Sequence, residues 1–158
     1  MKFKGFFLMI MLAVVLAACS NSKAAAPVEI KANEDSCDAC KMGIEDLQSA
    51  GQIIMDDGKP LLFDDIGCMI DYIQTHNPAY EAAFVHDYQS KEWIDFDKST
   101  FVQDSGIESP MSYGIAAFEV EENANEFHQN HGGMKYTHDE LIKIDLKSIK
   151  KGDMEHGH

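Results

Sequence analysis

GQIIMDDGKPLLFDDIGCMIDYIQTHN, Gly51 to Asn77, carries the fold of this chain in one short stretch. Gln52–Met55 is a β-like run, Asp57-Gly58 is a hairpin signal, and Pro60–Phe63 is a second strand. Ile66, Met69, Ile70 and Ile73 then recur at i, i+3, i+4, i+7, the stripe of an amphipathic helix. Asp64 or Asp65 supplies its N-cap, and it stops near Asn77-Pro78. Residues Ala82–Tyr88 return to strand character, which makes the unit ββαβ.

The pattern recurs downstream. Strands are expected at Trp93–Phe96, at Thr100–Val102 and within MSYGIAAFEV, followed by a polar helix, EENANEFHQNHGG, stopped at Gly132-Gly133. Phe63-Asp64-Asp65 with Tyr72 lies over Phe118-Glu119 with Phe127, so strand end and helix correspond in both halves. Thr137 to Glu140 fits a capping box opening a short last helix. The fold class is α+β, two related ββαβ modules in tandem, with boundaries at 36–90 and 91–150 and a flexible tail at 151–158.

Upstream, MKFKGFFLMIMLAVVLAAC has the layout of a secretory signal: Lys2 and Lys4, a short apolar run, then small residues. Leu16-Ala17-Ala18-Cys19 resembles a bacterial lipobox, which implies removal of residues 1–18 and lipidation of Cys19. More than one acyl chain makes such anchoring durable. Residues 19–35 read as a flexible tether. The expected location is extracytoplasmic, on the outer face of the cell membrane or on the outer membrane. Cleavage moves the formal charge from −14 to −16, and there is no arginine. That composition disfavours nucleic acid and suits cations or basic partners.

The chemistry concentrates in SCDACKMG, Ser36 to Gly43. Thiolate and thioether are soft donors that together select Cu(I). Cys40 and Met42 stand at i and i+2, so an extended segment would place both sulfurs on one side, with Cys37 folding back beside them. Asp38 and Lys41 keep the segment exposed. Thiol–disulfide exchange through Cys37 and Cys40 is one alternative, though the polar residues before them and Gly43 after them do not resemble a strand-to-helix redox motif. A Cys₂His₂ zinc site with His128 and His131 is another, but the histidine spacing and the long intervening loop fit poorly. His128 and His131 share a helix face and are a candidate metal pair in their own right, against the plainer reading of a solvated helix. Cys68 falls opposite the apolar stripe and reads as structural, with an auxiliary thiol as the alternative. Met55 and Met69 read as core. Met154, His156 and His158 could capture Cu(II) weakly. Asp64 and Asp65 read as caps, no nucleophile-elbow, Walker or dinucleotide signature occurs, and no catalytic residue is assigned.

CDACKMG, AGQIIMDDGKPLLFDDIGCMIDYI and YGIAAFEVEENANEFHQNHGG together resemble the NosL family of lipid-anchored copper-binding accessory proteins, which serve assembly of nitrous oxide reductase. The resemblance implies two ββαβ modules similar to part of organomercurial lyase. It implies Cu(I) as cargo, apo nitrous oxide reductase as recipient, and an ABC-type transporter complex as partner. It places the family's C-x-M ligands on Cys40 and Met42, with Cys37 as the nearby second thiol. A general copper chaperone or scavenger serving another cuproenzyme is the alternative within that reading. Lys41 stands where glycine is common in the family, and a cation there is expected to lower the cysteine pKa.

Overall fold

In the computed structural model, residues 24–149 are described. The signal segment, Cys19 and the tail with Met154, His156 and His158 lie outside the described residues. Hairpin β1 (Gly51–Met55) and β2 (Pro60–Phe63) pairs antiparallel, with Gly51 opposite Phe63 and Ile54 opposite Pro60. Gly58 takes the left-handed conformation the turn needs, at φ 80°. Helix α1 (Ile66–His76) follows, capped by Asp65, whose side chain accepts the Gly67 N–H; Asn77, in the left-handed region, ends it. β3 (Tyr80–His86) returns beside β1, and β4 (Trp93–Asp95) adds to β3. The first sheet is therefore ordered β2-β1-β3-β4.

After a single 3₁₀ turn, Phe96–Lys98, the second sheet is built from β5 (Thr100–Gln103), β6 (Ile115–Phe118) and β7 (Met134–Thr137), with α2 (Glu121–His131) between β6 and β7. Its order, β6-β5-β7, repeats β2-β1-β3: hairpin, crossover helix, then a third strand on the far side of the first. The repetition extends to side chains. Phe63 meets Tyr72 at 5.4 Å and Tyr72 stacks on His76 at 4.2 Å. Phe118 meets Phe127 at 5.4 Å and Phe127 stacks on His131 at 4.4 Å, at the same spacing along the chain. α3 (His138–Leu141) opens with the expected capping box between Thr137 and Glu140.

Three expectations change. The division at residue 90 falls inside the β3–β4 connection, because Trp93–Asp95 completes the first sheet and does not open the second. β7 was not among the strands read from the sequence; its residues are mostly exposed and show no alternation, and pairing with β5 alone defines it. Part of the expected tether is folded. Val28 exchanges both backbone hydrogen bonds with the buried Gln52 amide, at 2.7 and 3.1 Å, and Ile30 packs with Ile44 and Ala50. A buried amide in the central strand needs such partners, which is why the segment docks there.

The halves share one core, in which Ile53, Phe63 and Met69 pack with Phe101, Ile115 and Ala117. Asp87 pins the junction: its carboxylate accepts the N–H groups of Gln89, Ser90 and Glu119. Among the described residues, no helix is long and apolar enough to cross a membrane.

Candidate metal centre

The Ser36–Gly43 loop is built by its own backbone. Ser36 and Gly43 form an isolated bridge, the Cys37 N–H donates to the Met42 carbonyl at 2.8 Å, and the Lys41 N–H donates to the Cys37 carbonyl at 3.0 Å. Asp38 docks it on the free edge of β2, donating its N–H to the Leu62 carbonyl and accepting the Leu62 N–H. The segment is a tight turn and not an extended one. Lys41 sits at φ 67°, a conformation that suits glycine and strains a lysine. Strand alternation therefore does not place the Cys40 and Met42 sulfurs on one side, as the i, i+2 spacing predicts for an extended segment.

Docking brings the loop over the first turn of α1. The sulfurs of Cys37, Cys40 and Cys68 and a carboxylate oxygen of Asp64 all lie within 4.8 Å of one another. Among the described residues this is the group of potential His, Cys, Asp and Glu ligands that the fold gathers. The Cys40 N–H points at the Cys37 sulfur at 3.4 Å, and the Cys40 thiol donates to Asp64, 3.4 Å from each oxygen. All three cysteines are free thiols. Cys37 and Cys68 are 1% and 4% exposed, Cys40 is half-buried, and Met42 is 50% exposed. The donors thus grade from interior to surface.

Hydrogen bonding and burial divide the charge. The thiol of Cys68 donates to Cys37 and, against the opposing effect of burial, holds the Cys37 pKa down to about 6. Burial pushes Cys40 up to about 11 despite the Met42 N–H. Cys68, donating to Cys37 and buried, is pushed well above the ordinary thiol range. The expected influence of Lys41 is absent from this balance: its ammonium turns to the Asp38 carbonyl, and Cys40 rises where it was expected to fall.

Asp65 is the cap foreseen for α1, but Asp64 is not; it faces the thiols. Asp65 also reaches the second module, accepting Ser109 Oγ–H at 2.7 Å and the Met111 N–H at 3.0 Å. It thereby holds the 104–114 loop beside the sulfur loop. Between them lies a surface cavity of about 420 Å³ lined by Met42, Glu45, Asp46, Glu108 and Pro110 among others.

His128 and His131 are not brought to this cluster. The His128 ring nitrogen Nδ1 meets the Gly132 carbonyl at 3.1 Å, and His131 stacks on Phe127, so the Cys₂His₂ zinc set is not assembled. Met69 is core, and Met55 packs against it, as expected. Asp64 is the member the sequence did not yield, and Cys68, an auxiliary thiol only as the second sequence reading, joins it. The available signal was their i, i+4 spacing at the start of α1, where Ile66 to Ile70 are all buried and no face is left for solvent.

Fold and site together define a tandem ββαβ domain that carries a thiol-rich, half-covered ligand cluster beneath a surface loop. The NosL family model matches residues 27–145, and the chain belongs to that family. Among solved structures it is similar to the crystal structure of the copper chaperone NosL from Shewanella denitrificans, at 20% identity and a TM-score of 0.64, covering 73% of this chain and 95% of that one. At that identity the likeness speaks to the fold. No curated protein matches the chain.

Proposed function

We propose that this chain binds Cu(I) outside the cytoplasm and hands it to a copper enzyme, with nitrous oxide reductase as the recipient and an ABC-type complex as partner. The observation that carries the reading is the convergence of three cysteine sulfurs within 4.8 Å, two of them on the short loop that also carries the half-exposed Met42. Such a donor set favours a soft monovalent ion over harder ones. Cys37 and Cys40 hold the ion, and Met42 stands at the exit. The Glu45, Asp46 and Glu108 carboxylates beside Met42 draw in cations and complement a basic docking surface. A ligand from the partner completes the coordination as the ion leaves. Cys19, lipidated, would keep the domain at the membrane where the recipient matures.

Thiol exchange is disfavoured by the burial pattern. An exchanging protein presents an accessible low-pKa thiolate. Here the low-pKa thiol, Cys37, is enclosed, and the more accessible Cys40 is raised. The test is competition of the reduced full chain in detergent against a calibrated Cu(I) chelator, with Zn(II) run in parallel. One Cu(I) per chain is expected, and tight binding should be lost in Cys40→Ser, which removes a soft ligand itself. Met42→Ala should weaken binding less and lower copper loading of the recipient in cells. Zn(II) binding as tightly as Cu(I), or a Cys40→Ser variant equal to wild type, would overturn the reading.

A further inference from the structure

We infer that Cys68 is a third copper ligand, and that the site has two positions sharing Cys40: an inner one made by Cys37, Cys40 and Cys68, and an outer one made by Cys40 and Met42. This rests on the Cu(I) reading above and adds to it the residue and the route. Cys68 lies on α1 opposite the Ile66, Met69, Ile70, Ile73 stripe and belongs to the buried core, where a thiol can serve as plain packing. Its sulfur nevertheless lies within 4.8 Å of those of Cys37 and Cys40, held there by two independent devices. Asp38 docks the sulfur loop on β2, and Asp65 fixes the first turn of α1.

Three soft donors that the fold gathers this closely need little rearrangement to surround a Cu(I) ion. Asp64 is a hard donor; with both oxygens 3.4 Å from the Cys40 sulfur it acts as a positioning residue that aims that thiol. The exposure gradient from Cys68 through Cys40 to Met42 gives the route its direction. Cys40 keeps its bond while the ion exchanges Cys37 and Cys68 for Met42 and a partner ligand, so copper moves outward without being released. Each thiol that takes the ion gives its proton to water and recovers one when the ion leaves. Copper stays Cu(I) throughout, and no oxidant or reductant is needed.

The test is copper X-ray absorption of the full chain in detergent, loaded with one Cu(I), in a Met42→Leu background so that the thioether is not counted. Three sulfur neighbours are expected. Adding Cys68→Ala should reduce them to two and weaken Cu(I) binding tenfold or more, while adding Asp64→Asn should leave three. Melting of the metal-free Cys68→Ala protein checks that it is folded. If it is not, the count in Met42→Leu decides by itself, since two sulfurs there overturn the inner position. An unchanged count and affinity in a folded Cys68→Ala variant would refute the role of Cys68 while leaving Cu(I) binding intact. Failure of the wild-type chain to take up Cu(I) would remove the chaperone reading and this inference together.

Discussion

Replacing Asp65 with alanine should cost about 4 kcal/mol of folding stability and loosen the mouth of the site. Asp65 is 1% exposed and accepts three hydrogen bonds: Gly67 N–H at 2.8 Å, Ser109 Oγ–H at 2.7 Å and Met111 N–H at 3.0 Å. The first is a helix cap, worth about 1 kcal/mol. The other two join the modules and, as bonds to a charged group, are worth roughly 1.5–3 kcal/mol each. The lower end applies, because burial pushes the Asp65 pKa up and removal of the carboxylate recovers part of that cost. Asp65→Asn keeps an acceptor for Gly67 but sets an amide N–H against the Met111 N–H, so about half the loss is expected. The sign with pH is also fixed. A carboxyl with a raised folded-state pKa binds its proton more tightly in the folded chain, so the proton-linked part of its contribution is present below the unfolded value and is lost as pH rises through the folded one. Urea unfolding of the metal-free protein measures the loss, and limited proteolysis within residues 104–114 reports the loop. A loss under about 1 kcal/mol for Asp65→Ala, with the loop still protected, would refute the idea that this side chain ties the modules together.

Gly67→Ala should destabilise the fold by about 2 kcal/mol or more, the reverse of the usual gain of roughly 1 kcal/mol for this exchange inside a helix, because overpacking dominates. An added Cβ would lie 2.0 Å from Cγ of the Tyr113 ring, and a Tyr113→Ala partner substitution should recover part of the loss in thermal unfolding. In the metal-free reduced protein, thiolate absorbance should appear with a midpoint near pH 6, from Cys37, and this early titration should vanish in Cys68→Ala, since the Cys68 hydrogen bond is its leading cause. With the folded value below the 9.0 of an ordinary thiol, the Cys37 contribution to stability is complete above pH 9 and is lost as pH falls through about 6. A single transition near pH 9 would contradict the assigned hydrogen bond.

The chain's local rules were written in its residues. Asp57-Gly58 marks a hairpin because glycine alone takes the turn's φ without strain, and Gly58 stands at φ 80°. The Ile66-Met69-Ile70-Ile73 stripe with Asp65 before it and Asn77 after it specifies α1, since period and caps are properties of neighbouring residues. The same local grammar in Phe118 and Phe127 made the duplication visible, and the ring contacts repeat in both modules. Cys37, Cys40 and Met42 could be singled out because soft donors crowded into a polar loop have little structural purpose. What required the tertiary structure was every relation between segments far apart in the chain. β4 joins the first sheet and β7 becomes a strand through pairing with β3 and β5, not through their own sequences. Val28 and Ile30 dock because Gln52, buried in the middle of a sheet, needs partners. Cys68 and Asp64 enter the site because Asp38 fastens the sulfur loop to β2 directly above the start of α1. A helical period assigns each face from one chain segment's own pattern, so it placed Cys68 away from the core. The first turn of α1 is covered on both sides, and what covers the second side is a loop that no periodicity in α1 records.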